Sequence, residues 1–114
     1  MERPGNYQGK HFPAYTGRVL EYKKAGKLEE AEELLIHLVD ATEAESMKDG
    51  RGVAPWYYEE LAKIYRKWDN YSKEIEILER FKMQKHSPGV KPPILIERLE
   101  KIKELLKKQS GGKP

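Results

Sequence analysis

"APWYYEELAKIYRKWDNYSKEIEILERF", residues 54–81, carries two apolar stripes separated by Asp69 and Asn70. Trp56, Tyr57, Leu61, Ile64, Tyr65 and Trp68 recur at the three- and four-residue steps that place side chains on one face of an α-helix. Pro55 suits the first turn of that helix, where its missing N–H has no intrahelical bond to lose. Asp69 and Asn70 interrupt the stripe, and Asn70 can cap a following helix that carries Tyr71, Ile75, Leu78 and Phe81. The stretch therefore predicts two helices joined by a tight turn. Most of its aromatics are packing material: Trp56, Tyr57 and Tyr58 could form a stacking platform, but Tyr58 and Tyr65 are expected in the core, which leaves Trp56 as the candidate for ligand contact.

Working outward, Phe12, Tyr15, Val19 and Tyr22 form a helical stripe that Gly26 ends. Leu28, Ala31, Leu34, Leu35, Leu38, Val39 and Thr42 form the next, closed by "KDGRG" at 48–52. "HSPGVKPP" at 86–93 reads as a loop, and a last helix opens at Pro93 with Ile96, Leu99, Ile102, Leu105 and Leu106. No alternating strand pattern of useful length competes. The expected architecture is all-α, about five helices in one domain over residues 11–108. Segments 1–10 and 109–114, rich in glycine and poor in apolar residues, are expected to be mobile tips.

The 114 residues fit one domain, and 36% charged with 38% hydrophobic residues suits a thin assembly of amphipathic helices. No run approaches the length of a membrane span, and "MERPGNYQGK" has no continuous apolar segment of a secretory signal, so the cytoplasm is the expected compartment. Without cysteine there is no disulfide framework and no thiol nucleophile. The formal charge of +3 is unevenly spread: six bases against two acids over 1–27, nine against fourteen over 28–90, and seven against three over 91–114. Basic ends flanking an acidic middle could steer a polyanion to the termini or one copy of the chain onto another.

A shift of 43 positions carries Tyr15 onto Tyr58, Tyr22 onto Tyr65, Leu28 onto Tyr71, Leu35 onto Leu78 and Leu38 onto Phe81. Each unit reads as an aromatic helix, a turn and an aliphatic helix. With Tyr58, Leu61, Ala62, Tyr65, Tyr71 and Leu78 in the second unit, and Tyr22, Gly26, Ala31 and Leu35 within "YKKAGKLEEAEELL" in the first, the chain resembles the tetratricopeptide repeat. The resemblance implies antiparallel helix pairs over about residues 12–106, two units with the fifth helix as a cap. It departs from the family's unit of about 34 residues by a longer second helix, from Leu28 to about Met47. Arg18, Val19 and Glu74 also stand where the family carries leucine or small residues. The stretch from Pro55 to Phe81 is further similar to small bacterial and phage proteins, some of which carry a HIRAN domain implicated in DNA transactions. That domain has no counterpart in this sequence.

Little here suggests a reaction. His11, His37 and His86 are isolated, so no metal site is expected. Glu29, Glu30, Glu32 and Glu33, like Glu59 and Glu60, read as decoration of solvated helix faces rather than acid/base pairs. There is no phosphate-binding glycine loop and no nucleophile elbow, and neither enzymatic activity nor a cofactor is expected. What the repeat register does imply is a groove lined by its first helices. Carried over residue by residue, it would hold Thr16, Leu20, Lys23 and Lys24 from the first helix, Trp56, Glu59, Lys63, Arg66 and Lys67 from the third and Lys103 from the fifth, a predominantly cationic surface with one tryptophan. Lys63 and Arg66 are expected to be solvated in the free protein, as lysines on helix faces often are. The two-carboxylate clamp of chaperone-binding members is not reproduced, because Leu20 and Glu60 stand where asparagines would be expected. The implied function is an adaptor that binds a protein or peptide of acidic character. A nucleic-acid-binding accessory protein is the alternative, and a homo-oligomer would use the same charge segregation.

Overall fold

The amphipathic stripes close on one another in five α-helices. The computed structural model describes residues 3–111, and 74% of these described residues are helical. The helices are α1 (Thr16–Lys24), α2 (Leu28–Asp49), α3 (Pro55–Lys67), α4 (Tyr71–Lys82) and α5 (Lys91–Gly111). A 3₁₀ turn, Phe12–Tyr15, leads into α1. No helix among the described residues is long and apolar enough to cross a membrane.

Local chemistry accounts for the helix ends. Gly26 and Gly50 take positive φ, 75° and 70°, and close α1 and α2 in the left-handed region that glycine enters without a Cβ penalty. Pro55 occupies the first turn of α3, and the Asn70 side chain accepts a hydrogen bond from the Lys73 N–H at 3.1 Å, capping α4. The prolines expected to prolong the 86–93 loop behave differently. α5 begins at Lys91, with Pro92 and Pro93 inside its first turn, where the absent N–H groups would be unpaired in any helix.

Neighbouring helices pack in chain order, and α3 also packs against α5. Val19, Leu35, Leu38, Tyr58, Leu61, Ile64, Leu78, Phe81, Leu95, Leu99 and Ile102 fill the core between them. Burying such side chains contributes roughly 1.5–3 kcal/mol each before the entropy of ordering is counted. Two expected core positions, Trp68 just past the end of α3 and Leu105, are exposed at 38% each, while Tyr22, Leu28, Trp56, Tyr71, Ile75 and Ile96 are partly buried against the core.

The segment expected as a mobile N-terminal tip holds a small hairpin, β1 (Asn6–Tyr7) paired antiparallel with β2 (Lys10–His11). Gln8 and Gly9 both have positive φ, as a two-residue hairpin turn of the primed type needs. The hairpin is docked on the helices. Tyr7 stacks on His37 with ring centroids 4.6 Å apart, the Tyr15 hydroxyl donates to the Tyr7 carbonyl at 2.5 Å, and His11 Nε2 lies 2.6 Å from Glu45 Oε2.

Candidate ligand-binding surface

On α3 the residues after Trp56 and Tyr57 alternate between two environments. Tyr58, Leu61, Ala62, Ile64 and Tyr65 face the core, while Lys63 and Lys67 are exposed and Arg66 is half-buried. The expectation that Glu59 and Glu60 lie on a solvated face is wrong: they are 7% and 5% exposed, and Glu74 on α4 is wholly buried. A buried carboxylate needs a partner, and each of the three has cations brought from other helices. Glu60 on α3 takes Lys23 of α1 and, at 3.5 Å, Lys63. Glu59 takes both its bonds from Lys91 of α5, at 2.7 and 2.9 Å. Glu74 takes Arg66 of α3 and Arg98 of α5. Every buried side-chain nitrogen and oxygen among the described residues has a partner.

These ion pairs divide the residues expected in the cationic groove. Arg66 is not a solvated charge: its Nε and Nη2 grip Glu74 at 2.7 and 3.0 Å, so it serves the α3–α4 contact. Lys103 is tied to Glu79 of α4 at 2.9 Å, and that hydrogen bond, followed by the nearby carboxylate charges, raises its pKa. Trp56 is half-buried, packed on the core and edge-on to Tyr57 at 5.1 Å, so it offers only part of a face. Lys24 and Lys67 are exposed and make no ion pair among the described residues.

Three of the expected residues do come together. Lys23, Lys63 and Lys67 surround a cavity of about 210 Å³ at the α1–α3 junction, floored by Leu28 and Ile64. Glu60 engages two of these lysines, Lys23 and, at 3.5 Å, Lys63, while Lys67 makes no ion pair among the described residues. Basic side chains in the last turns of α1 and α3 also complement the negative ends of those helices, which accounts for part of their placement. Arg66 lines a separate cavity of about 290 Å³ between α3 and α5, with Glu59, Ile94, Glu97, Arg98 and Lys101. Its charges are nearly balanced.

A second network joins α4 to α2. The Arg80 guanidinium of α4 reaches Glu43 at 2.8 Å and Asp40 at 2.7 Å on α2, and the Tyr58 hydroxyl donates to Glu43 at 2.7 Å. Tyr65 donates to Glu32 at 2.7 Å. Burial pushes the pKa of Tyr58 up, and the Glu43 acceptor adds to it; burial does the same for Tyr65 with Glu32. Among the described residues no three His, Asp or Glu side chains are grouped to hold a metal ion.

Sequence reasoning placed the lysines but missed their counter-ions. No family model matches the chain, and no characterised protein and no solved structure matches it either.

Proposed function

We propose that the chain is a non-enzymatic protein-binding module of tetratricopeptide-like helix pairs, whose lysine cavity between α1 and α3 takes an acidic segment of a partner. The observation that carries this reading is the ring of Lys23, Lys63 and Lys67 over an apolar floor, with Glu60 as its sole carboxylate. A carboxylate side chain seated there gains two or three charge-assisted hydrogen bonds, and Leu28 and Ile64 receive its aliphatic stem. The alternation of ion pairs supports the repeat arrangement: α1 binds α3 through Lys23 and Glu60, α3 binds α5 through Glu59 and Lys91, and α2 binds α4 through Glu43 and Arg80. Odd- and even-numbered helices thus make two layers.

The nucleic-acid alternative gains from the basic ends of the chain and loses along α3. A phosphate backbone rewards an unbroken run of free cations, whereas here Glu59 and Glu74 already engage Lys91, Arg66 and Arg98. Fluorescence anisotropy with a labelled oligoglutamate peptide and a labelled DNA duplex separates the two. The peptide-binding reading expects the peptide to be held at salt concentrations that release the duplex. Capture of the duplex alone would overturn it.

A further inference from the structure

A cleft of about 440 Å³ opens between the N-terminal hairpin and the α1–α2 pair. Tyr7, Arg18, Tyr22, Glu29, Glu30 and Glu33 line it. Its three carboxylates make no ion pair among the described residues, while Arg18 is turned over the Tyr15 ring at 5.8 Å. Glu29 and Glu30 stand in the first turn of α2, where the helix end favours anions. Glu33 lies a turn further on, so that effect does not account for it.

Beside this cleft, the α1–α2 turn carries the opposite charge. Lys24 and Lys27 flank Gly26, are exposed, and have no ion-pair partner among the described residues. Although these lysines are close in sequence to the glutamates of the cleft, no ion pair joins the two groups. An exposed basic turn and an open acidic cleft on one hairpin are mutually complementary between molecules.

We propose that this face joins two copies of the chain, the turn lysines of each seated in the acidic cleft of the other. A two-fold axis beside the turn satisfies both contacts at once, because one surface then carries both halves of the complementarity. Tyr7 and Tyr22 line the cleft beside the carboxylates, so an ammonium group entering it meets aromatic as well as acidic side chains. Such a contact is small and rich in solvated charge, so the dimer is weak, reversible and salt-sensitive. It uses none of the three lysines of the α1–α3 cavity, although Leu28, which floors that cavity, lies between Lys27 and Glu29.

Sedimentation velocity over a range of protein concentrations, at about 0.05 M and about 0.5 M salt, tests this. The wild type is expected to dimerise at low salt, with a dissociation constant that rises about 10-fold or more at high salt. The variants Lys24→Glu/Lys27→Glu and Glu29→Lys/Glu30→Lys should each be monomeric, and an equimolar mixture of the two should regain the dimer. Circular dichroism verifies that each is folded. If reversal in the first turn of α2 disturbs that helix, Glu33→Lys replaces it as the partner variant. A wild-type monomer throughout, a dimer indifferent to both reversals, or a mixture of folded variants that stays monomeric would overturn the proposal.

Discussion

The carboxylate of Glu74 is gripped edge-on by the Arg66 guanidinium, through Nε at 2.7 Å and Nη2 at 3.0 Å, in a site with no solvent access on the glutamate side. Arg98 adds a third bond at 2.9 Å, so one side chain of α4 holds both α3 and α5. Removing Glu74 leaves two guanidiniums facing each other without a counter-ion. Glu74→Ala should destabilise the fold by about 3 kcal/mol, the lower end for a broken buried pair, because both arginines are partly exposed. Glu74→Gln, which keeps shape and one acceptor, should cost less. Urea denaturation of both variants measures this, and a loss well below about 1 kcal/mol for the alanine would show that the arginines relax freely into water.

Tyr65 separates packing from polar contact. Its ring is 5% exposed, and its hydroxyl donates to Glu32 at 2.7 Å. Tyr65→Ala should cost about 3–5 kcal/mol, as large aromatic truncations in cores do. Tyr65→Phe should cost only about 1 kcal/mol, the worth of an ordinary hydrogen bond. Equal losses in the two variants would place the energy in the hydroxyl rather than the ring.

Buried tyrosines make the fold sensitive to alkali. Burial pushes the Tyr57 hydroxyl up from 10.0 to about 12, and Tyr58 and Tyr65 are raised as well. A tyrosine with a raised folded-state pKa stays protonated while the unfolded chain ionises. Its contribution is therefore complete below about pH 10 and is lost as pH rises through the folded-state value. For Tyr57 that window is roughly pH 10 to 12, at up to about 1.4 kcal/mol per pH unit. Melting temperature should be insensitive to these groups from neutrality to about pH 9.5 and fall steeply above about pH 10. Tyrosinate absorbance should show a fraction of the seven tyrosines ionising only on unfolding. Full ionisation of all seven in a still-helical protein would contradict this.

The helices were legible because their evidence is local. Leu35, Leu38, Tyr58, Leu78 and Phe81, matched by the 43-residue shift, are all wholly buried, and the Asn70 cap needs only the chain next to it. The hairpin was not legible, since its strands are two residues each and its turn is Gln8–Gly9 instead of a stronger asparagine or aspartate signal. Nor was the burial of Glu59, Glu60 and Glu74. A glutamate reads as solvated until its cation is known, and those cations, Lys91, Lys23 and Arg98, lie 32, 37 and 24 residues away. The same gap misplaced Arg66, whose position on α3 resembles that of Lys63 while its partner differs.

Lys67 lines the lysine cavity at the α1–α3 junction, is exposed and is free of ion pairs among the described residues, so it reports most cleanly whether that cavity binds an acidic ligand. The measurement is anisotropy of a labelled oligoglutamate peptide titrated with wild type, Lys67→Glu and, as a remote control, Lys82→Glu on α4. Binding should weaken about 10-fold or more for Lys67→Glu and hardly at all for Lys82→Glu, with the melting temperature of both close to wild type. Wild-type protein that does not bind the peptide, or a Lys67→Glu variant that binds it as tightly as the control does, would contradict the account.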